Sequence, residues 1–349
     1  MPEYDTRTVP APIKLSIFAV VIASSYPAAL SCIISDPWEV LVTLLAGSLS
    51  FLAIIGKSTK TKLTVSSAAS FLLFFLPSGY FRAFCVGFLL AYSQTVAEIH
   101  TSRLSLSPFR DLAISLLGIL MTMQACVFFF FLSFIPGFAP IFQSFFFVLA
   151  LVCLQVALVV LCAPTPPVEL INPQDASALY GPVYNKLSRI FKDTPFSCFY
   201  DEYSELVSRY STDKRKTANR VSSIIEKVNI SFISTGIVGL LSTISNTSMY
   251  LTIFTSVTMF KWIYANKYPK DYIILTVIST LVVLVSIFIY DIQPIFIILM
   301  GCSLYLVPSY NTYLCLDSYV IGVSNTIRNT LGTIVYIILE REQYITKLY

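Results

Sequence analysis

The chain has 349 residues, 56% of them hydrophobic and only 12% charged, with a net charge of +4 and a mean hydropathy of +0.76. Soluble domains carry roughly 25% charged residues, so this composition cannot supply a water-facing surface, and lipid is the solvent for most of the chain. No basic stripe alternates with exposed aromatics, which argues against a nucleic-acid role. The cysteines number 8, none in a CxxC pair, and His100 is the 1 histidine. Neither a metal site nor a disulfide framework is expected, nor any cofactor, and the cysteines read as small apolar packing residues.

The first apolar run, Ile13–Ser35, has Arg7 and Lys14 at its head. It is too long for a signal-peptide core and more runs follow, so it reads as a retained first helix. A helix crosses a bilayer with about 20 apolar residues. On that measure further spans lie near Pro37–Ile55, Leu63–Tyr80, Phe81–Ala97, Leu112–Phe134 and Pro140–Cys162. After a long polar stretch come Val228–Ile244, Met249–Tyr264, Tyr272–Tyr290, Ile292–Leu316 and a weaker last span, Ile321–Leu339. The runs are continuous rather than alternating, which excludes barrel strands. Pro27 and Pro308 are expected to interrupt their helices, and discontinuous helices commonly line sites at mid-membrane.

Loop charge alternates along the chain. Lys57, Lys60 and Lys62 occupy one loop, Arg103 and Arg110 another, and Lys261, Lys267 and Lys270 a third. The intervening short loops carry no Lys or Arg apart from Arg82 at the mouth of the fourth span. Basic loops stay on the cytosolic side, which places the N-terminus and the long central loop in the cytosol. An odd number of spans leaves the C-terminal Glu340–Tyr349 outside, and a twelfth would bring it back.

The central stretch, Ala163–Lys227, divides six apolar runs from about five. Pro164, Pro166 and Pro167 stop the sixth helix, and Ala178–Phe191 and Asp201–Tyr210 carry helical patterning with mixed charge. The expected organisation is an N-terminal six-helix lobe over 1–162, a cytosolic helical loop over 163–227 and a C-terminal lobe over 228–349. The fold class is all-α and polytopic, about 11 (10–12) transmembrane helices in two lobes, the layout of a secondary transporter.

The segment from Arg82 to Val127 contains Arg82, Gly87, the Ala97-Glu98 pair, Arg110 and Gly118. It resembles the fourth and fifth helices of the sugar porters of the major facilitator superfamily. Their pattern is an Arg opening a Gly-containing helix, an acid at its end, then a basic residue before a Gly-bearing helix. The turn Gly56–Lys62 and Leu316-Asp317-Ser318 echo other parts of that pattern. The resemblance implies a gating charge network of Arg82, Glu98, Arg103, Arg110, Asp317 and Arg328 at the lobe ends. It also implies a polar solute, a sugar or polyol, moved by alternating access, with no catalytic residue.

The chain departs from that family where sugar is bound. Leu117 or Gly118 falls at the expected Gln of the fifth span, and Phe232, Ile233 and Val238 at the ligands of the seventh. Tyr26-Pro27 stands where an Asp would pair with Arg82 for proton coupling, which favours facilitated diffusion over symport. The candidate solute-binding residues are therefore Gln124, Asn311, Thr312, Tyr26 and Gln94. A monomer in the plasma membrane is the expected state. The alternative is a transporter-shaped protein that no longer transports, a sensor or a decayed relative. A polytopic enzyme is disfavoured, because no catalytic cluster surrounds His100.

Overall fold

The computed structural model describes residues 11–104 except 35 and 57, scattered residues between 113 and 128, residues 139–162, isolated residues 166, 185 and 224, and residues 318–346. The predicted spans seven to ten, nearly all of the central loop, and Arg110, Asn311, Thr312 and Asp317 lie outside them.

The first predicted span is two helices, α1 (Ala11–Ala23) and α2 (Ser25–Ile33), meeting at Ser24. The cause is Pro27, which has no N–H to offer Ala23 and whose ring crowds that carbonyl. Helix α3 (Pro37–Gly47) opens with Asp36, whose carboxylate accepts from the Glu39 N–H at 3.1 Å, and with Pro37 in its first turn. It tightens into a 3-10 segment, Ser48–Ile54. The chain then turns through Gly56 at φ 85°, a left-handed conformation that suits glycine. Lys62 reaches back from the next helix and donates to Ala53 O at 2.6 Å and Gly56 O at 2.9 Å, satisfying carbonyls at the segment's end.

Helix α4 (Thr59–Leu72) is capped by Ser58. Helix α5 (Tyr80–Leu104) runs about two turns beyond the predicted fourth span. The hydropathy signal fades at Glu98 while the helix continues, carrying His100 and Arg103 on the same rod. Helix α6 (Ala139–Cys162) matches the predicted sixth span, and α7 (Ser318–Thr346) extends the predicted last one at both ends. Among the described residues, two stretches, Ile13–Ser31 and Pro37–Ile54, are long and apolar enough to cross a bilayer.

The helices pack as an inside-out bundle. Buried positions include Ser16, Ser24, Ser25, Ser50, Thr59, Ser66, Ser67, Ser70, Ser93 and Thr95, whereas Leu15, Phe18, Trp38, Phe81, Val148 and Leu158 are exposed. Small and hydroxylated side chains between helices, with large apolar ones outside, is the pattern of helices packed in lipid. The closest crossing joins α3 to α5. A Cβ on Gly87 would overlap the Thr43 carbonyl, and Gly47 meets Ala91 with room for no more than ordinary contact. The Thr43 hydroxyl donates to Glu39 O at 2.8 Å and to Ala83 O at 3.2 Å, crossing the seam. Thr43 and Gly47 on one helix thus face Ala83, Gly87 and Ala91 on the other, each set spaced by four.

Two apolar clusters lie along the bundle. One gathers Ile13, Ile17 and Val20 with Leu63, Val96, Ile99, Leu117 and Val160. The other gathers Tyr26 and Leu30 with Leu73, Val86, Ala150 and Cys153. The α1–α2 break lies between them.

Candidate functional site

Breaking a helix strands backbone carbonyls, and each needs a donor in a medium without water. At the α1–α2 break those donors come from Ser24 itself and from other helices. Val21 O accepts from Gln124 Nε2 at 2.9 Å, from the Ser24 hydroxyl at 2.9 Å and from Ser24 N at 3.2 Å. Gln124 Oε1 in turn receives the Ser24 hydroxyl at 3.3 Å. Cys153 of α6 is a free, buried thiol whose sulfur lies 3.6 Å from Ile22 O and 3.5 Å from Ser25 Oγ. Both polar ends of Gln124, a predicted solute-binding residue, are therefore engaged in holding the break.

One turn further, Tyr26 is fully buried on α2, its ring edge-on to Phe146 of α6 at 6.2 Å. Helix α5 packs on α2 and brings Arg82 close enough to act electrostatically on the Tyr26 oxygen. No group meets that oxygen at hydrogen-bonding geometry among the described residues. The sequence reading set Tyr26 where an acid would face Arg82. Gln94 is half-buried on α5.

A second constellation joins α7 to the first helices. Ser318, at the start of α7, accepts from Arg103 Nη2 at 2.7 Å. Further along, Asn325 Nδ2 donates to Glu98 Oε2 and to Thr95 Oγ1, each at 3.2 Å. The Thr326 hydroxyl lies 3.2 Å from that of Ser50, Asn329 Nδ2 donates to Gly47 O at 2.8 Å, and the Thr330 hydroxyl donates to Ser48 Oγ at 3.2 Å. Gly322 lets the Ile54 side chain press against the α7 backbone. Helix α7 therefore runs antiparallel to α5 along a polar seam.

Glu98 and Arg103, predicted for the gate, both meet α7. Arg328 lies on α7, and its side chain is outside the described set, as are Arg110 and Asp317. The seam residues Asn325, Thr326, Asn329 and Thr330 were missed from sequence. Their signal is a polar stripe at positions 318, 325, 326, 329 and 330. His100 is buried between two more helices, its Nδ1 2.9 Å from Thr59 Oγ1 and its Nε2 3.3 Å from Ser16 Oγ. It ties α5 to α1 and α4, and no group of three or more His, Cys, Asp or Glu fit to hold a metal occurs among the described residues.

The fold is similar to that of solved transporters of the major facilitator superfamily. The proton:xylose symporter XylE bound to 6-bromo-6-deoxy-D-glucose aligns with a TM-score of 0.60 at 11% identity, over 94% of this chain and 86% of that one. The partially occluded inward-open form of XylE from E. coli aligns with a TM-score of 0.60 at 11% identity, over 93% and 91%. The chain has the fold of that superfamily. No family model and no curated protein sequence matches it.

Proposed function

We propose that the chain is a membrane transporter that moves a small polar solute by alternating access, as a facilitator, with a sugar or polyol as the solute class. The observation that carries this reading is the α7 seam. It joins the first helices to α7 through a row of hydroxyl, amide and charged side-chain contacts beside the buried Ile321. Such contacts are worth only about 0.6 kcal/mol each between membrane helices, so they can be exchanged as two halves rock. The sugar class draws support from XylE, described as a xylose symporter and bound to a glucose derivative. Facilitation draws support from Tyr26 beside Arg82, because a phenol there replaces the carboxylate that a proton-coupled pair needs. The proposed setting is a monomer in the plasma membrane, with the N-terminus and central loop in the cytosol.

The test is uptake of labelled hexoses, pentoses and polyols into proteoliposomes, with and without a pH gradient. Saturable flux that the gradient leaves unchanged is the expected result. Flux driven uphill by the gradient removes the facilitator assignment, and silence across the whole panel removes the sugar and polyol assignment.

A second reading is a transporter-shaped sensor. It is favoured by one observation: Gln124 is spent on the helix break, and Leu117 is buried in the core where a sugar ligand was expected. A solute that binds without flux would select it.

A further inference from the structure

The turn into α4 reads Gly56-Lys57-Ser58-Thr59-Lys60-Thr61-Lys62. It carries hydroxyls at Ser58, Thr59 and Thr61, and the fold places each differently. Thr59 is buried, its Oγ1 2.9 Å from His100 Nδ1. Thr61 is exposed but already inside the helix, and its backbone N–H and hydroxyl donate to Ser58 Oγ at 3.3 and 3.1 Å. Ser58 is exposed on extended backbone, φ −86° and ψ 109°, just ahead of the helix. It can be presented to another protein without unwinding α4, as Thr61 cannot.

Lys62 lies four residues after Ser58, and its backbone N–H donates to Ser58 O at 3.4 Å, so the two share one helix face a turn apart. The Lys62 ammonium turns back onto Ala53 O at 2.6 Å and Gly56 O at 2.9 Å. Ala53 belongs to the 3-10 segment Ser48–Ile54, which supplies part of the α7 seam. Ser50 meets Thr326, Ser48 meets Thr330, and Ile54 presses on Gly322. One ammonium therefore links the turn that holds an exposed serine to the segment that holds α7. A phosphoryl group on that serine would bring about −1.5 to −2 charge and three strong acceptor oxygens, against the partial charge of a carbonyl.

We propose that Ser58 is a phosphorylation site, and that its phosphate draws Lys62 off Ala53 O and loosens the 3-10 segment behind the α7 seam. The phosphoryl donor is a nucleoside triphosphate, held by a protein kinase that selects a serine between basic residues, here Lys57 and Lys60. Ser58 Oγ forms a bond to the γ-phosphorus, and the bond from that phosphorus to the β-phosphate oxygen breaks. The hydroxyl proton passes to the kinase's base and the nucleoside diphosphate leaves. The proposal rests on the cytosolic orientation of the basic loops proposed above and is independent of the solute.

The test treats the purified full-length chain with ATP and a Ser/Thr kinase of basic-site specificity. Mass spectrometry locates the phosphate, and amide hydrogen exchange reads the backbone. Labelling is expected at Ser58 and is lost in Ser58→Asn, which keeps a capping side chain and so keeps the parent's exchange. Labelling of the parent is expected to quicken exchange across Ser48–Gly56 severalfold. Lys60→Gln should retain that response. Lys62→Gln should be labelled like the parent yet show no further quickening. If Lys62→Gln fails to fold, the parent, Ser58→Asn and Lys60→Gln still decide the matter. Absence of phosphate at Ser58, or a phosphorylated chain that exchanges like the unmodified one, overturns the proposal. Sealed vesicles of each orientation, treated with kinase from outside, separate the site from its sidedness. Labelling from inside-out vesicles alone is expected. Labelling in detergent and from right-side-out vesicles alone overturns the cytosolic orientation and the regulation with it, whereas labelling nowhere overturns the site and leaves the orientation standing.

Discussion

Single residues in this bundle do structural work that their chemistry does not advertise. Gln124 looks like a solute ligand, yet its amide feeds Val21 O and its carbonyl takes the Ser24 hydroxyl. Gln124→Met keeps the volume and removes both bonds. We expect it to lower stability by about 0.5–2 kcal/mol, the range for interhelical side-chain hydrogen bonds in membranes, read as a lowered melting temperature in detergent. An unchanged melting temperature together with lost uptake would return Gln124 to the solute site. Gly87 is the opposite case, a residue with no chemistry at a position with no space. Its missing Cβ lets α5 touch the Thr43 carbonyl. Gly87→Val is expected to cost about 1–3 kcal/mol or more through overpacking. Val at Ala83 or Ala91 offers a graded comparison on the same seam. A Gly87→Val protein that melts with the parent would mean that α3 and α5 cross elsewhere.

At the scale of elements, much was legible because hydropathy measures helix length against a bilayer. Four of the six described predicted spans coincide with continuous helical stretches, the third begins at Thr59 and stops at Phe75 short of the predicted Tyr80, and Pro27 announced the break three residues downstream of where it falls. The ends were not legible. Helix α5 continues to Leu104 because nothing in Glu98–Arg103 breaks a helix, although the sequence there turns polar and hydropathy reads it as a loop. The burial of Tyr26 against Phe146 depends on packing that no local pattern announces. The α7 seam was hidden because its partners lie up to 282 residues apart in sequence. A double-mutant cycle tests it. Asn325→Ala and Glu98→Ala should be non-additive by about 0.5–1.5 kcal/mol in stability, since both remove one shared hydrogen bond. Additivity would place Asn325 and Glu98 in separate states.

For the whole molecule, the exposed apolar belt makes a depth-dependent prediction. Val148 is near the middle of α6 and Val159 near its end, and both are exposed. Val148→Lys puts an ammonium toward the bilayer centre, at a cost of about 2.5–3.5 kcal/mol on insertion scales. Val159→Lys can extend its amine to the headgroups. The recovered membrane-fraction yield should therefore fall for Val148→Lys and hold for Val159→Lys. Equal yields would contradict a lipid-facing α6. The antiparallel seat of α7 on α3, its 3-10 extension and α5 also bears on how the protein is made. Gly47, Ser48 and Ser50 are synthesised some 270–280 residues before Asn329, Thr330 and Thr326. At about 5–20 residues per second, that is a wait of roughly 15–50 s on the ribosome. Throughout it, the newborn first helices sit in the membrane with hydroxyls and a carbonyl facing no protein partner. A chain stopped before Ser318 stays in that state permanently, which makes it a natural target for membrane quality control.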